Sequence, residues 1–263
     1  MNDKSKTRYP VSFVGTGPGD PELLTVKAKK RIEEADIIFY DCLPATHILK
    51  EAAPGAEIMY VNKHPEKEEE KQNILDIVEA YWEKGCKVVR LKAGDAMMFN
   101  GGDVEAREMN RRGISFELIP GITAACAASN IFAIPTTEIY KSNAIVHLIA
   151  FDIPDNYAHI RDVAKLFKSG TTVVLYMAYD NLQRIFEVFQ EEGVPSDIPV
   201  AIASMVSLSD EDCALTTMDA VFETIEKREM LSPFVFFVGQ HVDIYASPKS
   251  RIDKLNSFVN KMC

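Results

Sequence analysis

At 263 residues the chain is long enough for one large or two ordinary domains, each with room for its own core. Its 47% hydrophobic and 26% charged composition is that of an ordinary globular protein, and no segment approaches the ~20 consecutive apolar residues of a membrane span. The formal net charge of −10 disfavours nucleic acid as a partner, because phosphate neutralisation calls for a basic face.

The opening stretch MNDKSKTRYP is polar and has no apolar core of a signal peptide, so a cytoplasmic setting is the expectation. The cysteines Cys42, Cys86, Cys126, Cys213 and Cys263 are odd in number, scattered and without CxxC spacing. Neither a disulfide framework nor a metal site is indicated, and reduced thiols are expected.

Val11 to Gly15 reads as an apolar strand that runs into Gly15, Gly17 and Gly19, with Pro18 between the last two. Asp20-Pro21-Glu22 then has the form of a helix start, with Asp20 at the N-cap and Pro21 at the first helical position, and the helix is expected to reach about Ala35. The glycine spacing is not GxGxxG and no Gly-Lys-Ser/Thr follows, so the turn is not that of a pyrophosphate site. A strand at Ile37 to Tyr40 ends in Asp41; a short helix at Thr46 to Ala52, a strand at Glu57 to Val61 and a helix through Ile74 to Trp82 follow. The charge run Lys67 to Lys71 reads as that helix's solvated first turn.

Val88 to Lys92 is a further strand, bounded by Gly85 and Gly94. The loop beyond it carries Met97, Met98 and Phe99 before Gly101 and Gly102, and apolar side chains at the carboxyl end of a strand stand where parallel α/β sheets bind ligands. A helix around Glu105 to Arg112, a strand at Phe116 to Ile119 and a small-residue helix from Thr123 to Asn130 complete a pattern of five strands with intervening helices, which predicts a parallel sheet. This is the first domain, residues 1–135; the polar stretch 136–142 is the expected linker.

The second domain, residues 143–263, is expected to be α/β with a mixed sheet. Its strands read as Ala144 to Ala150, Thr171 to Met177, Ile198 to Ala203, Cys213 to Thr216 and Phe234 to Val238, with helices at Tyr157 to Lys168, Asn181 to Glu192 and Met218 to Lys227. Ala203 and Cys213 stand too close in sequence for a helical crossover, which predicts an antiparallel pair.

GTGPGDPELLT, the strand end Tyr40-Asp41, VVRLKAGD, IPGITAA at Ile119 to Ala125, AIPTT, and Leu175-Tyr176-Met177 occur in the order seen in the tetrapyrrole methylases, over nearly the whole chain. The chain resembles that family, and within it the uroporphyrinogen-III C-methyltransferase branch. The resemblance implies an α/β fold of two domains with the cofactor in the cleft between them, a homodimer, and S-adenosyl-L-methionine as methyl donor, leaving as S-adenosyl-L-homocysteine. Carried over residue by residue, it implies that Pro18, Ala93, Gly94, Asp95, Met98, Thr123, Ala124 and Met177 line the cofactor, with Asp41 as proton acceptor and Lys63 as proton donor. The implied substrate is a small molecule, a tetrapyrrole of siroheme or cobalamin synthesis.

The departures gather at the positions expected to meet the substrate. Cys42, Gly101 and Ile139 stand where the family pattern has arginines, Val104 where it has a carboxylate, and Ala96 where it has proline. Arginine is the side chain suited to bidentate carboxylate recognition. Three readings therefore remain open: compensation by Lys63, His64, Arg107 or Lys141; a different and less anionic acceptor; or a cofactor-binding protein without catalysis.

Overall fold

The computed structural model describes residues 8–41, 46–61, 68–151 and 157–244. By internal contacts the chain divides after Thr123 into two units, and each contains one five-stranded sheet.

The first sheet is built from β1 (Val11–Gly15), β2 (Ile37–Tyr40), β3 (Glu57–Tyr60), β4 (Val88–Lys92) and β5 (Phe116–Ile119), in the order β3-β2-β4-β1-β5. All of its pairings are parallel, as the alternation of strands and helices predicts. Side chains alternate across it. Val11, Phe13, Ile37, Phe39 and Val88 face the helices α2 (Glu68–Glu83) and α3 (Gly102–Arg111), where Val78, Trp82 and Met109 cover them. Val14, Ile38, Val89, Leu91 and Ile119 face the other way, onto Ala28 and Ile32 of α1 (Val26–Glu33). The chain thus leaves β1 toward one face and its neighbour β4 toward the other, the arrangement that opens a crevice at the carboxyl ends of adjacent parallel strands.

The single helix expected from Pro21 to Ala35 is two pieces. Asp20 caps only a 3-10 turn, Pro21–Leu23, by accepting from Glu22 N at 2.8 Å. Leu24 is then extended, and Thr25 caps α1 afresh by accepting from Ala28 N at 3.1 Å. The break follows from a second cap residue in the sequence, since an N-cap needs non-helical backbone.

The second unit holds α4 (Ala124–Phe132) and a sheet of β6 (Ile145–Ile149), β7 (Thr172–Tyr176), β8 (Pro199–Ser204), β9 (Asp212–Thr217) and β10 (Phe234–Val238), in the order β6-β7-β10-β8-β9. Only β6 and β7 run parallel; β10 is antiparallel to both neighbours, and β8 to β9, so the sheet is mixed. Its core is Val173, Leu175, Val200, Ile202 and Phe236 against α5 (Ala158–Ala164), α6 (Leu182–Glu191) and α7 (Val221–Lys227). The contact division groups α4 with this unit, ahead of the 136–142 stretch read as a linker from composition. That stretch is a closed turn in which Glu138 N donates to Ser142 O at 2.9 Å and Ser142 N to Glu138 O at 2.8 Å.

Candidate active site

In the first unit the loops that leave β1, β4 and β5 meet backbone to backbone. Gly94 N donates to Gly17 O at 2.8 Å and Gly17 N returns a bond to Gly94 O at 3.1 Å. Gly15 and Gly121 approach so closely that a methyl group on Gly121 would lie 2.0 Å from Gly94 O and 2.7 Å from Gly15 Cα. Only glycine fits there. Pro18 is buried in the first of these loops, and Gly94 lies against Thr123, where a Cβ on the glycine would be 3.7 Å from Thr123 Cα.

Asp95 locks the assembly. Its Oδ1 accepts from Met97 N at 2.9 Å and its Oδ2 from Gly121 N at 3.0 Å, so one carboxylate joins the β4 loop to the β5 loop and both its oxygens are engaged by backbone. Asn100, also buried, donates from Nδ2 to the Ala93 carbonyl. Phe99, at φ 56, occupies the left-handed region that bulky side chains rarely enter, and such strain concentrates at ligand-binding loops.

The structure therefore brings Pro18, Ala93, Gly94, Asp95, Met98 and Thr123 of the expected cofactor set onto one group of loops in one unit. Ala124 and Met177 belong to the other unit: Ala124 opens α4, and Met177 follows β7, left-handed at φ 50 and 49% exposed. Lys63, His64 and Cys42 lie outside the described residues.

Beside these loops stands a group of buried charges. Along β2 and β4 the positions facing α3 are apolar at Ile37, Phe39 and Val88 and turn ionic at Asp41, Arg90 and Lys92, toward the carboxyl ends. Arg90 Nη2 donates to Asp41 Oδ2 at 2.6 Å. The same guanidinium presents a two-pronged edge to Glu105 of α3, Nε to Oε2 at 3.0 Å and Nη2 to Oε1 at 3.2 Å. Lys92 Nζ bonds Glu105 Oε1 and lies 3.7 Å from Asp41 Oδ2. The side chains of Asp41, Arg90 and Lys92 are 1%, 4% and 1% exposed. Two cations and two carboxylates balance, the condition under which charge is tolerated in an interior. Burial pushes the Lys92 ammonium below its usual range, and neighbouring Arg90 adds to the push. Burial alone would raise the Glu105 carboxyl, but Arg90 and Lys92 outweigh it and hold it low.

Asp41 was singled out from the sequence, where capping a following helix was its ordinary alternative; instead its Oδ2 takes Arg90, and its Oδ1 is buried with no hydrogen-bond partner among the described residues. Arg90, Lys92 and Glu105 were missed. A signal was present: in a parallel sheet covered on both faces, Arg and Lys at alternate positions of a central strand have no route to water and must meet carboxylates.

Comparison with known proteins agrees with this architecture. The Tetrapyrrole (Corrin/Porphyrin) Methylases family matches residues 10–221. A uroporphyrinogen-III C-methyltransferase of Bacillus subtilis (strain 168) is 35% identical over 240 residues, spanning 89% of this chain and 91% of the relative. The crystal structure of the Thermus thermophilus uroporphyrin-III C-methyl transferase complexed with S-adenyl homocysteine superposes with a TM-score of 0.72 at 29% identity, over 88% of this chain and 98% of that one. A cobalt precorrin-4 methyltransferase shares the fold, with a TM-score of 0.79 at 23% identity over 89% of this chain and 96% of its own. With most of its length matched in sequence and in fold, the chain belongs to the tetrapyrrole methylase family.

Proposed function

We propose that this protein is an S-adenosyl-L-methionine-dependent methyltransferase that C-methylates a tetrapyrrole of the uroporphyrinogen-III type, in siroheme or cobalamin synthesis. The observation that carries the reading is Asp41 Oδ1, unpartnered among the described residues, at the carboxyl end of β2 and in the same unit as the glycine-lined loops that follow β1, β4 and β5.

Those loops suit a sulfonium ligand. They offer backbone groups and Met98, and Asp95, the carboxylate of the loop after β4, has both oxygens occupied. A free carboxylate there would stabilise the positive sulfonium before transfer more than in the transition state, where its charge is being lost. Pro18, Ala93, Gly94, Asp95, Met98 and Thr123, with Ala124 and Met177, would hold the cofactor. When bound, S-adenosyl-L-methionine supplies an electrophilic methyl group and leaves as S-adenosyl-L-homocysteine. Fixing the donor against the acceptor carbon is the loops' main contribution, a positioning effect that can supply ~7–11 kcal/mol. The acceptor carbon gives its electron pair to the new carbon–methyl bond, and the positive charge this leaves on the ring system is relieved when Asp41 Oδ1 takes a proton. Lys63 is the proposed proton donor.

One observation favours a less anionic acceptor. Arg90 and Lys92, the buried cations of the first unit among the described residues, are both committed to this chain's own carboxylates. Arg107 is different: 80% exposed and 3.6 Å from Asp103, it forms a weak surface pair and stays open to a substrate. A homodimer in the cytoplasm completes the proposal; the family resemblance supports the dimer, and five scattered cysteines without CxxC spacing support the reducing setting.

Calorimetric titration with S-adenosyl-L-homocysteine, then with uroporphyrin III as a stable analogue of the reduced substrate, tests the reading. Binding of both supports the uroporphyrinogen-III assignment. Binding of the first alone keeps the methyltransferase and moves the acceptor to a less anionic molecule, and binding of neither overturns the cofactor site. Sedimentation equilibrium on the same sample tests the dimer, which a single monomeric mass would refute.

A further inference from the structure

The buried charge cluster is asymmetric in a way that simple charge balance does not require. Arg90 gives its two-pronged edge to Glu105 and only a single bond to Asp41. Both cations approach the same Asp41 oxygen, Oδ2, with Arg90 Nη2 at 2.6 Å and Lys92 Nζ at 3.7 Å. Oδ1 receives neither and is buried without a hydrogen-bond partner among the described residues. A carboxylate serving only to neutralise a guanidinium gains most from the two-pronged geometry, which here goes to Glu105. Buried acceptors left unpaired are rare, and each calls for a reason.

We infer that Arg90, braced from α3 by Glu105, is a positioning residue for Asp41, gripping one carboxylate oxygen so that the other stays uncommitted to the cluster's cations and takes the acceptor's proton. A carboxyl group otherwise turns readily about its last torsion, which is broad and roughly two-fold. Two cations on one oxygen fix the rotation, and the fork to Glu105 fixes the plane of the guanidinium that does the gripping. Lys92 ties Glu105 to the same oxygen and closes the ring of contacts. This assignment rests on the proposed role of Asp41 as proton acceptor.

A double-mutant cycle on methyl transfer to uroporphyrinogen III tests it, using Arg90→Lys, Asp41→Asn and the pair together. S-adenosyl-L-homocysteine titration on each variant controls for folding. Asp41→Asn removes the acceptor and is expected to lower kcat by about 10²-fold or more, the usual scale of general-base loss. Arg90→Lys keeps the charge and loses the fork; the expected result is a kcat lowered about ten-fold, with KM and S-adenosyl-L-homocysteine affinity within about two-fold of the parent. The double variant is expected to be no slower than Asp41→Asn alone, because a residue that acts only through Asp41 has nothing left to position. Losses that multiply in the double variant, or an Arg90→Lys effect confined to KM, overturn the positioning role. Full kcat in Asp41→Asn overturns the proton-acceptor reading beneath it, an outcome separable from the others. Where Arg90→Lys does not fold, Glu105→Gln, which keeps the side-chain shape and weakens the brace, is read by the same cycle.

Discussion

Replacing Gly121 by alanine tests whether the three loops meet as closely as described. The added methyl would stand 2.0 Å from Gly94 O, 2.6 Å from Gly15 C and 2.7 Å from Gly15 Cα, against 3.4–4 Å for ordinary contact. All three neighbours are backbone, so no side-chain rotation relieves the overlap. Overpacking of this kind typically costs about 1–3 kcal/mol, and with only backbone to yield we place this variant at about 3 kcal/mol. The strain falls on Gly94, whose neighbour Asp95 accepts from Gly121 N at 3.0 Å, so the proposed cofactor loop moves with it. Urea unfolding followed by the fluorescence of Trp82, the only tryptophan and buried on α2, reports on this unit. The midpoint should fall with little change in slope. Affinity for S-adenosyl-L-homocysteine should fall about ten-fold, which corresponds to about 1.4 kcal/mol. Gly113→Ala is the control: it has positive φ, at +70°, but its Cβ would meet nothing within 4 Å, so only about 1 kcal/mol of left-handed strain is expected and no loss of affinity. If Gly121→Ala is no worse than Gly113→Ala in both assays, the close approach is not real and the loop geometry must be abandoned.

Other perturbations bear on the charges and on the second core. Glu105→Ala leaves Arg90 and Lys92 with one buried carboxylate between them, and should destabilise by about 3–5 kcal/mol in urea unfolding; a loss under 1 kcal/mol would contradict the cluster. Glu117 would be raised by burial, but bonds from Arg31, Lys27 and Ser12 pull its carboxyl down to about 2. Its folded value lies below the unfolded one, so its contribution, at most on the order of 3 kcal/mol, is complete above about pH 4.5 and is lost as pH falls toward 2. Glu117→Gln should flatten the stability profile across that window and lower stability at neutral pH. Phe236→Ala opens a cavity at a fully buried position of the central strand β10 and should cost about 3–5 kcal/mol, visible as a lower melting temperature for the second unit.

Much of the fold is legible because strands and helices have distinct periods. Val11 to Gly15 and Phe234 to Val238 form strands at the predicted bounds, and the short Ala203 to Cys213 connection does join an antiparallel pair. The order β3-β2-β4-β1-β5 was not legible, since periodicity identifies elements and not their neighbours. In the candidate site, Asp41 and the glycine turns were visible as residue types at strand ends. Glu105 was not, because its meaning depends on α3 laying it across Arg90 and Lys92, a contact set by tertiary packing. Asp95, which the family resemblance implies at the cofactor, spends its side chain on the backbone of two loops and leaves its main chain for that role.

Turnover tests the proposed methyl transfer most directly. Purified protein, S-adenosyl-L-methionine and freshly reduced uroporphyrinogen III are incubated without oxygen, and the tetrapyrrole is followed by mass spectrometry alongside release of S-adenosyl-L-homocysteine. A tetrapyrrole heavier by whole methyl groups is expected, with one S-adenosyl-L-homocysteine released per methyl and the gain lost in Asp41→Asn. An unchanged tetrapyrrole from protein that binds S-adenosyl-L-homocysteine would contradict the uroporphyrinogen-III assignment, and a full methyl gain in Asp41→Asn would contradict the role given to Asp41.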